Sequence, residues 1–247
     1  MTDPPTLLMI HGLVGSLRYF DPQARLPRAT VICEDLLGYG RHAGFPPDEL
    51  TLAAQAEHVA RRIDALPGDR LWLLGHSMGG AVAVLAADQR AARVRGIINV
   101  EGNLTEKDAF WSGKIAARSP EQWNREYGVM QSDAPGWLER CGVAPTAQRG
   151  AWAGHILDHQ PPSTVYAMSK ALLAETLCAE YLETVRRLLA GGLCMHLVAG
   201  AKSAASWGVP DFVRAAAASY REQLDAGHLM MLEDPDAFCN SIAAILG

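Results

Sequence analysis

Residues Gly75-His76-Ser77-Met78-Gly79-Gly80 stand directly after the apolar run Leu71–Leu74 and directly before a helical pattern. This is a G-x-S-x-G arrangement in the setting that its chemistry needs. A serine hydroxyl is a poor nucleophile, and a sharp strand-to-helix turn lifts it above a sheet, where a base can reach it. Glycines are required at 75 and 79 because side chains there would collide with the turn and the neighbouring strands. A helix that starts at Met78 also aims its partial positive end at the oxyanion formed when Ser77 attacks a carbonyl. The competing reading, a glycine-rich turn without chemistry, accounts less well for the strand and the helix on either side.

Two further segments supply the partners such a nucleophile needs. His11-Gly12-Leu13 follows the apolar run Thr6–Ile10. An oxyanion needs two backbone N–H donors, one from the residue after the nucleophile and one from a loop on the neighbouring strand, so Met78 and Leu13 are the candidates. Gly227-His228 lies late in the chain after a weak apolar run, where a histidine on a loop can act as general base. Of the eight histidines, His42 and His58 read as surface residues, His76 as a loop neighbour of the nucleophile and His196 as a strand residue. His155 and His159 have the i, i+4 spacing of a metal pair, but no Glu follows His155 and no third ligand is indicated, so a polar helix face is the better reading.

The elements that must position these residues alternate along the chain. Short apolar runs separated by helical patterns predict a mainly parallel α/β sheet flanked by helices. Strands are expected at 6–10, 30–34, 71–74, 96–100 and 194–199, with a weaker sixth near 220–224. Helices are expected at 52–66, ended by Pro67-Gly68, and at 78–90, 211–219 and 235–246. Residues 104–189 break this rhythm, since apolar residues recur there at helical spacing with no convincing strand. The segment reads as a helical insertion, a cap or lid over a core made of 1–103 and 190–247. It holds four of the six tryptophans, Trp111, Trp123, Trp137 and Trp152. These aromatics, with Phe110 and with His11 from the core, are candidates for the walls of an apolar substrate pocket, although packing within the insertion is the plainer role for a tryptophan.

Composition narrows the partners. The chain has 247 residues, 49% of them hydrophobic and 20% charged, the profile of a globular protein with room for a sizeable core. Twenty-two Lys and Arg against 27 Asp and Glu give a net charge of −5, with no cationic run to neutralise a phosphate backbone, so nucleic acid is not an expected partner. No apolar stretch is long enough to span a bilayer, and the opening MTDPPTLLMI lacks the positive n-region of a secretory signal, so no membrane partner and a cytoplasmic location are expected. The five cysteines are scattered and never in a C-x-x-C arrangement, and most are read as buried small hydrophobes rather than disulfides or a zinc knuckle. No cofactor and no metal are expected, and the chain is read as a monomer or homodimer acting on a small molecule.

His11-Gly12, Asp35-Leu36-Leu37-Gly38-Tyr39-Gly40, Gly75-His76-Ser77-Met78-Gly79 and Ala226-Gly227-His228 follow one another in an order and spacing that resembles the α/β-hydrolase fold superfamily over nearly the whole chain. The resemblance begins at what would be that family's third strand. It implies Ser77 as nucleophile, His228 as base and a cap inserted after the sixth family strand, with Asp35 and the glycines after it forming a structural loop near the site. One departure stands out. Family members commonly carry the triad acid after the seventh strand in a G-x-x-D pattern, and here the text is Gly200-Ala201-Lys202-Ser203. Serine cannot hold a charge against an imidazolium. Some family members place the acid after the sixth strand, where this chain has Glu101, and Asp211 and Asp108 are weaker alternatives.

The expectation is therefore a serine hydrolase cleaving an ester or thioester of an apolar or aromatic substrate through an acyl-enzyme. Carbon–carbon bond hydrolysis, elimination or cyclisation by the same triad is one alternative. A ligand receptor that keeps the pocket without turnover is another, supported by the serine at 203.

Overall fold

The structure, a computed structural model, describes residues 4–68 and 70–247, so the first three residues of the opening segment lie outside the described residues. Six strands, β1 (Thr6–Ile10), β2 (Thr30–Glu34), β3 (Leu71–His76), β4 (Val94–Val100), β5 (Cys194–Gly200) and β6 (Ser219–Gln223), form one sheet in the order β2-β1-β3-β4-β5-β6. Every pairing is parallel. The chain thus has the α/β-hydrolase fold. β3 sits near the middle and is buried at all its positions, which is why LWLLGH reads as an apolar run without alternation.

Because side chains alternate across a sheet, each strand feeds two cores. Leu8, Ile10, Leu73, Ile97 and Leu197 point to one face, and Leu7, Met9, Trp72, Leu74 and Ile98 to the other. The first face is covered by α2 (Leu52–Ala65) and α3 (Met78–Gln89). Thr51 caps α2 by accepting from the Ala54 N–H, and α2 buries Leu52, Ala56, Val59, Ala60 and Ile63, the stripe that the helical spacing predicts. α3 is buried on nearly all sides, and its run of Gly, Ala and Val lets it lie close to the sheet. The other face is covered by the short α1 (Pro22–Arg25) and by α12 (Pro235–Leu246), with Phe20 against Phe238 at 5.8 Å.

Between β4 and β5 the chain forms a 3-10 turn (Glu106–Ala109) and six helices: α4 (Phe110–Ala116), α5 (Pro120–Ser132), α6 (Ala134–Arg140), α7 (Ala147–Leu157), α8 (Pro162–Thr176) and α9 (Ala179–Ala190). Proline and capping residues set the boundaries: Ser119 and Gln122 form a capping box ahead of α5, and Asp133 and Thr146 cap α6 and α7. After β5 come α10 (Asp211–Ala216) and, beyond β6, α11 (Met230–Glu233).

The strands run one to two residues past some of the expected limits, and α10 stops three residues before 219 because the chain must turn into β6. Two expectations are corrected outright. Cys239 alone among the cysteines is buried, Cys33 and Cys194 are half-buried, and Cys141 and Cys178 are exposed on the helical segment, so most cysteines are not core residues. His42 and His58 are half-buried against the buried Glu34, with His58 Nε2 3.4 Å from its carboxylate, rather than on the surface. Among the described residues no helix is long and apolar enough to cross a membrane.

Candidate active site

The strand order reverses between β1 and β3, and in such sheets the crevice beyond the carboxyl ends of the strands at that point is where ligands settle. Ser77 follows β3 there with φ 54° and ψ −124°, a conformation that side chains other than glycine rarely hold. The turn is pinned from both sides: the Ser77 N–H donates to Val100 O at 3.1 Å, and the Gly80 and Asn103 N–H groups donate to Ser77 O at 2.9 and 3.1 Å. A Cβ on Gly75 would strike the Gly79 carbonyl, and one on Gly79 would strike those of Ile10 and His11, so neither position admits a side chain.

From β1, Gly12 approaches so closely that a Cβ on it would lie 3.0 Å from Ser77 Cβ. Among the described residues neither the Leu13 nor the Met78 amide donates to a protein acceptor. His11 is buried with both ring nitrogens engaged: Nδ1 donates to Gly12 O at 2.8 Å, and Nε2 accepts from the Leu36 N–H at 3.4 Å. Burial pushes its pKa down to about 4, against the raising effect of the Gly12 carbonyl. It is a neutral ring that shapes the cavity floor.

His228 leads into α11 and donates from Nδ1 to Glu101 Oε2 at 2.7 Å, which leaves Nε2 without a protein partner among the described residues. His76, the last residue of β3, donates from Nε2 to His228 O at 3.0 Å and lies 4.7 Å from the His228 ring. Burial, helped by the neighbouring His228, lowers the His76 pKa to about 3. His76 thus fixes the loop that carries His228 and is itself neutral.

Glu101 follows β4 at φ 40°, with its N–H donating to Val198 O at 3.0 Å. Its second oxygen accepts from the Gly200 N–H at 2.7 Å and from Ser203 Oγ at 2.6 Å. Burial alone would raise its pKa, but the hydrogen bonds from His228, Ser203 and Gly200 outweigh it and hold the carboxyl below the ordinary value. The other two acids are employed elsewhere. Asp211 is exposed in the first turn of α10. Asp108 accepts from the Leu104 and Thr105 N–H groups of its own turn and from the Gly208 N–H of the β5–α10 connection.

Ser77, His228 and Glu101 border one cavity of about 500 Å³ that runs under the helical segment. Of the expected wall residues, His11, Phe110, Trp111 and Trp137 line it. Trp123 and Trp152 do not. Trp123 is buried behind Trp111, 6.5 Å between rings, with its indole N–H on Pro162 O, and Trp152 lies 5.7 Å behind Tyr19. Both are packing residues, the plainer of the two roles weighed for such tryptophans.

Several wall residues had no signal of their own in the sequence. Trp207 hangs into the cavity from the β5–α10 connection with its indole N–H on Gly102 O. Asn103, beside Ser77, is buried with an unpartnered Oδ1. The glycines after Asp35 belong to a buried polar loop: Asp35 accepts from Arg18 at 3.2 Å and from His159 at 3.1 Å, and a Cβ on Gly40 would meet its carboxyl at 2.8 Å. His159 is thus spent on Asp35, and His155 is exposed. Donor atoms of Glu34, His42 and His58 lie within 4.8 Å of one another, but the guanidiniums of Arg41 and Arg62 already occupy both oxygens of Glu34, which is a poor setting for a cation.

Comparison with known proteins agrees with this fold. Lipase LipV of Mycobacterium tuberculosis is 26% identical over 172 residues, which cover 69% of this chain and 59% of LipV. An uncharacterized protein of the same organism is 35% identical over 106 residues, 42% of this chain and 31% of that protein. The chain thus spans about a third of the length of the first curated relatives it matches. Among solved structures, a thermophilic esterase from Thermogutta terrifontis superposes with a TM-score of 0.73 at 21% identity, covering 98% of this chain and 89% of that one. A carboxylesterase from Nitrososphaera gargenis gives 0.76 at 18% identity over 98% and 90%. The model of the alpha/beta hydrolase family matches residues 7–241, nearly the whole described chain, and with the parallel sheet and the serine turn in place the chain belongs to that family.

Proposed function

We propose that the protein is a serine hydrolase that cleaves a carboxylic ester or thioester through an acyl-enzyme. The observation that carries this reading is the 2.7 Å hydrogen bond between His228 and Glu101, in the cavity that also holds the strained Ser77. Ser77 Oγ attacks the carbonyl carbon while His228 Nε2 takes its proton. Glu101 keeps the proton of the neutral imidazole on Nδ1 and stabilises the imidazolium as it forms. The Leu13 and Met78 amides, aided by the α3 N-terminus, receive the oxyanion. His228 then protonates the leaving alcohol or thiol, and finally activates a water that releases the acid.

Residues 104–189 act as the cap, and the aromatic surface they share with Tyr19 and Trp207 suits an apolar or aromatic substrate. Esterases among the similar structures support ester cleavage. The receptor alternative drew its support from the serine at 203, and a carboxylate that reaches His228 from residue 101 removes that ground. The test is turnover of p-nitrophenyl esters of increasing acyl length. Wild type should hydrolyse them, and Ser77→Ala should lose roughly three to six orders of magnitude in rate with its fold intact. An active Ser77→Ala protein would overturn the serine mechanism.

A further inference from the structure

Three cationic side chains border the mouth of the cavity: Lys107 from the 3-10 turn, Lys114 from α4 and Arg140 from α6. All three are exposed, and they come from separate elements to one opening in a chain whose net charge is −5. Little neutralises them. Among the described residues Lys107 and Lys114 form no ion pair, Lys114 Nζ rests 5.5 Å over the exposed Phe110 ring, and Arg140 has only a loose 3.7 Å pair with the exposed Asp133. Glu106 and Glu139 adjoin two of them in sequence but do not line the cavity. The two carboxylates that do line it, Glu101 and Asp108, are consumed by His228 and Ser203 and by three backbone N–H groups respectively.

A cleft with apolar walls and one sign of charge at its rim concentrates ligands of the opposite sign, because the low-dielectric walls focus the field. A wholly apolar ester gains nothing from that rim. We propose that the substrate of this site carries an anionic end group, which Lys107, Lys114 and Arg140 hold at the mouth while the apolar middle lies along Trp111 and Trp137 and the ester reaches Ser77. The inference rests on the hydrolase reading above and names its substrate class.

The test uses two matched ester pairs, because the rim can serve either side of the scissile bond. p-Nitrophenyl hemiglutarate is compared with p-nitrophenyl valerate on the acyl side, and 4-(carboxymethyl)phenyl acetate with 4-ethylphenyl acetate on the alcohol side. In at least one pair the ratio of kcat/KM, anionic over neutral, should exceed ten for wild type. It should fall at least tenfold in the Lys107→Glu/Lys114→Glu/Arg140→Glu variant and shrink in 0.5 M salt. A ratio near or below one in both pairs, or one that the charge reversal leaves unchanged, would overturn the inference. Titration of Ser77→Ala with the same esters, read by quenching of the cavity tryptophans, separates the two claims. A charge-dependent preference for the anionic ester without turnover by wild type would sink the hydrolase reading alone, and turnover without the preference would sink the anion site alone.

Discussion

Ser203 Oγ donates a 2.6 Å hydrogen bond to Glu101 Oε1, while the other oxygen of the same carboxylate holds His228 Nδ1 at 2.7 Å. The serine that stands where the family commonly has its acid therefore holds the Glu101 carboxylate, which reaches in from the neighbouring strand. Glu101→Gln should lower kcat by up to roughly 10⁴-fold, by analogy with loss of the acid in other triads, and Asp211→Asn should do far less. Assays of both variants decide between them, and near-normal Glu101→Gln with a collapsed Asp211→Asn would reverse the assignment.

Ser203→Ala should act through the acid. Its hydroxyl favours the ionised form of Glu101, so its removal raises the Glu101 pKa toward the ordinary carboxylate range. kcat should then fall modestly at neutral pH with KM unchanged, and Ser203→Thr, which keeps the hydroxyl, should restore it. An unchanged kcat together with lost stability would mean that Ser203 only fills space.

Acid should destabilise the fold before the carboxylates titrate. His76 and His11 are buried and neutral, with pKa values lowered to about 3 and about 4 from an unfolded value of 6.5. Between pH 6.5 and those folded values the unfolded chain binds more protons, so stability falls as pH falls. Going from pH 7 to pH 5 should cost about 2 kcal/mol for each histidine. Urea unfolding at the two pH values measures it, and His11→Asn should remove about half of the loss if that variant folds. Equal stability at pH 7 and pH 5 would show that these rings charge freely in the fold.

The tryptophans divide by position. Trp123, buried behind Trp111, should cost about 3–5 kcal/mol on truncation to Ala and leave acyl-chain preference alone in the folded fraction. Trp111→Ala should change that preference with a smaller effect on Tm. Thermal unfolding and an ester series on both variants would expose an exchange of roles.

What the sequence disclosed depended on whether a local rule specified it. The turn at Ser77 was legible because only glycine fits at 75 and 79 between a strand and a helix, and the parallel sheet was legible because its strands are continuous apolar runs. The link of Ser203 to Glu101 was not, since it joins residues beyond the ends of two adjacent strands, β4 and β5, 102 positions apart in the chain, and no spacing encodes it. Trp123 and Trp152 show the same limit on the helical segment, where periodicity identifies helices but not which aromatic faces inward. Lys107, Lys114 and Arg140 read in sequence as ordinary surface charges, and only the packing of α4 and α6 brings them to one opening.

Labelling with a fluorophosphonate followed by peptide mass spectrometry reads the activation of Ser77 itself, because only an activated serine reacts quickly. One adduct should form, on Ser77, absent from Ser77→Ala and slowed in Glu101→Gln. No adduct on wild-type protein, or an adduct on another residue that persists in Ser77→Ala, would contradict it.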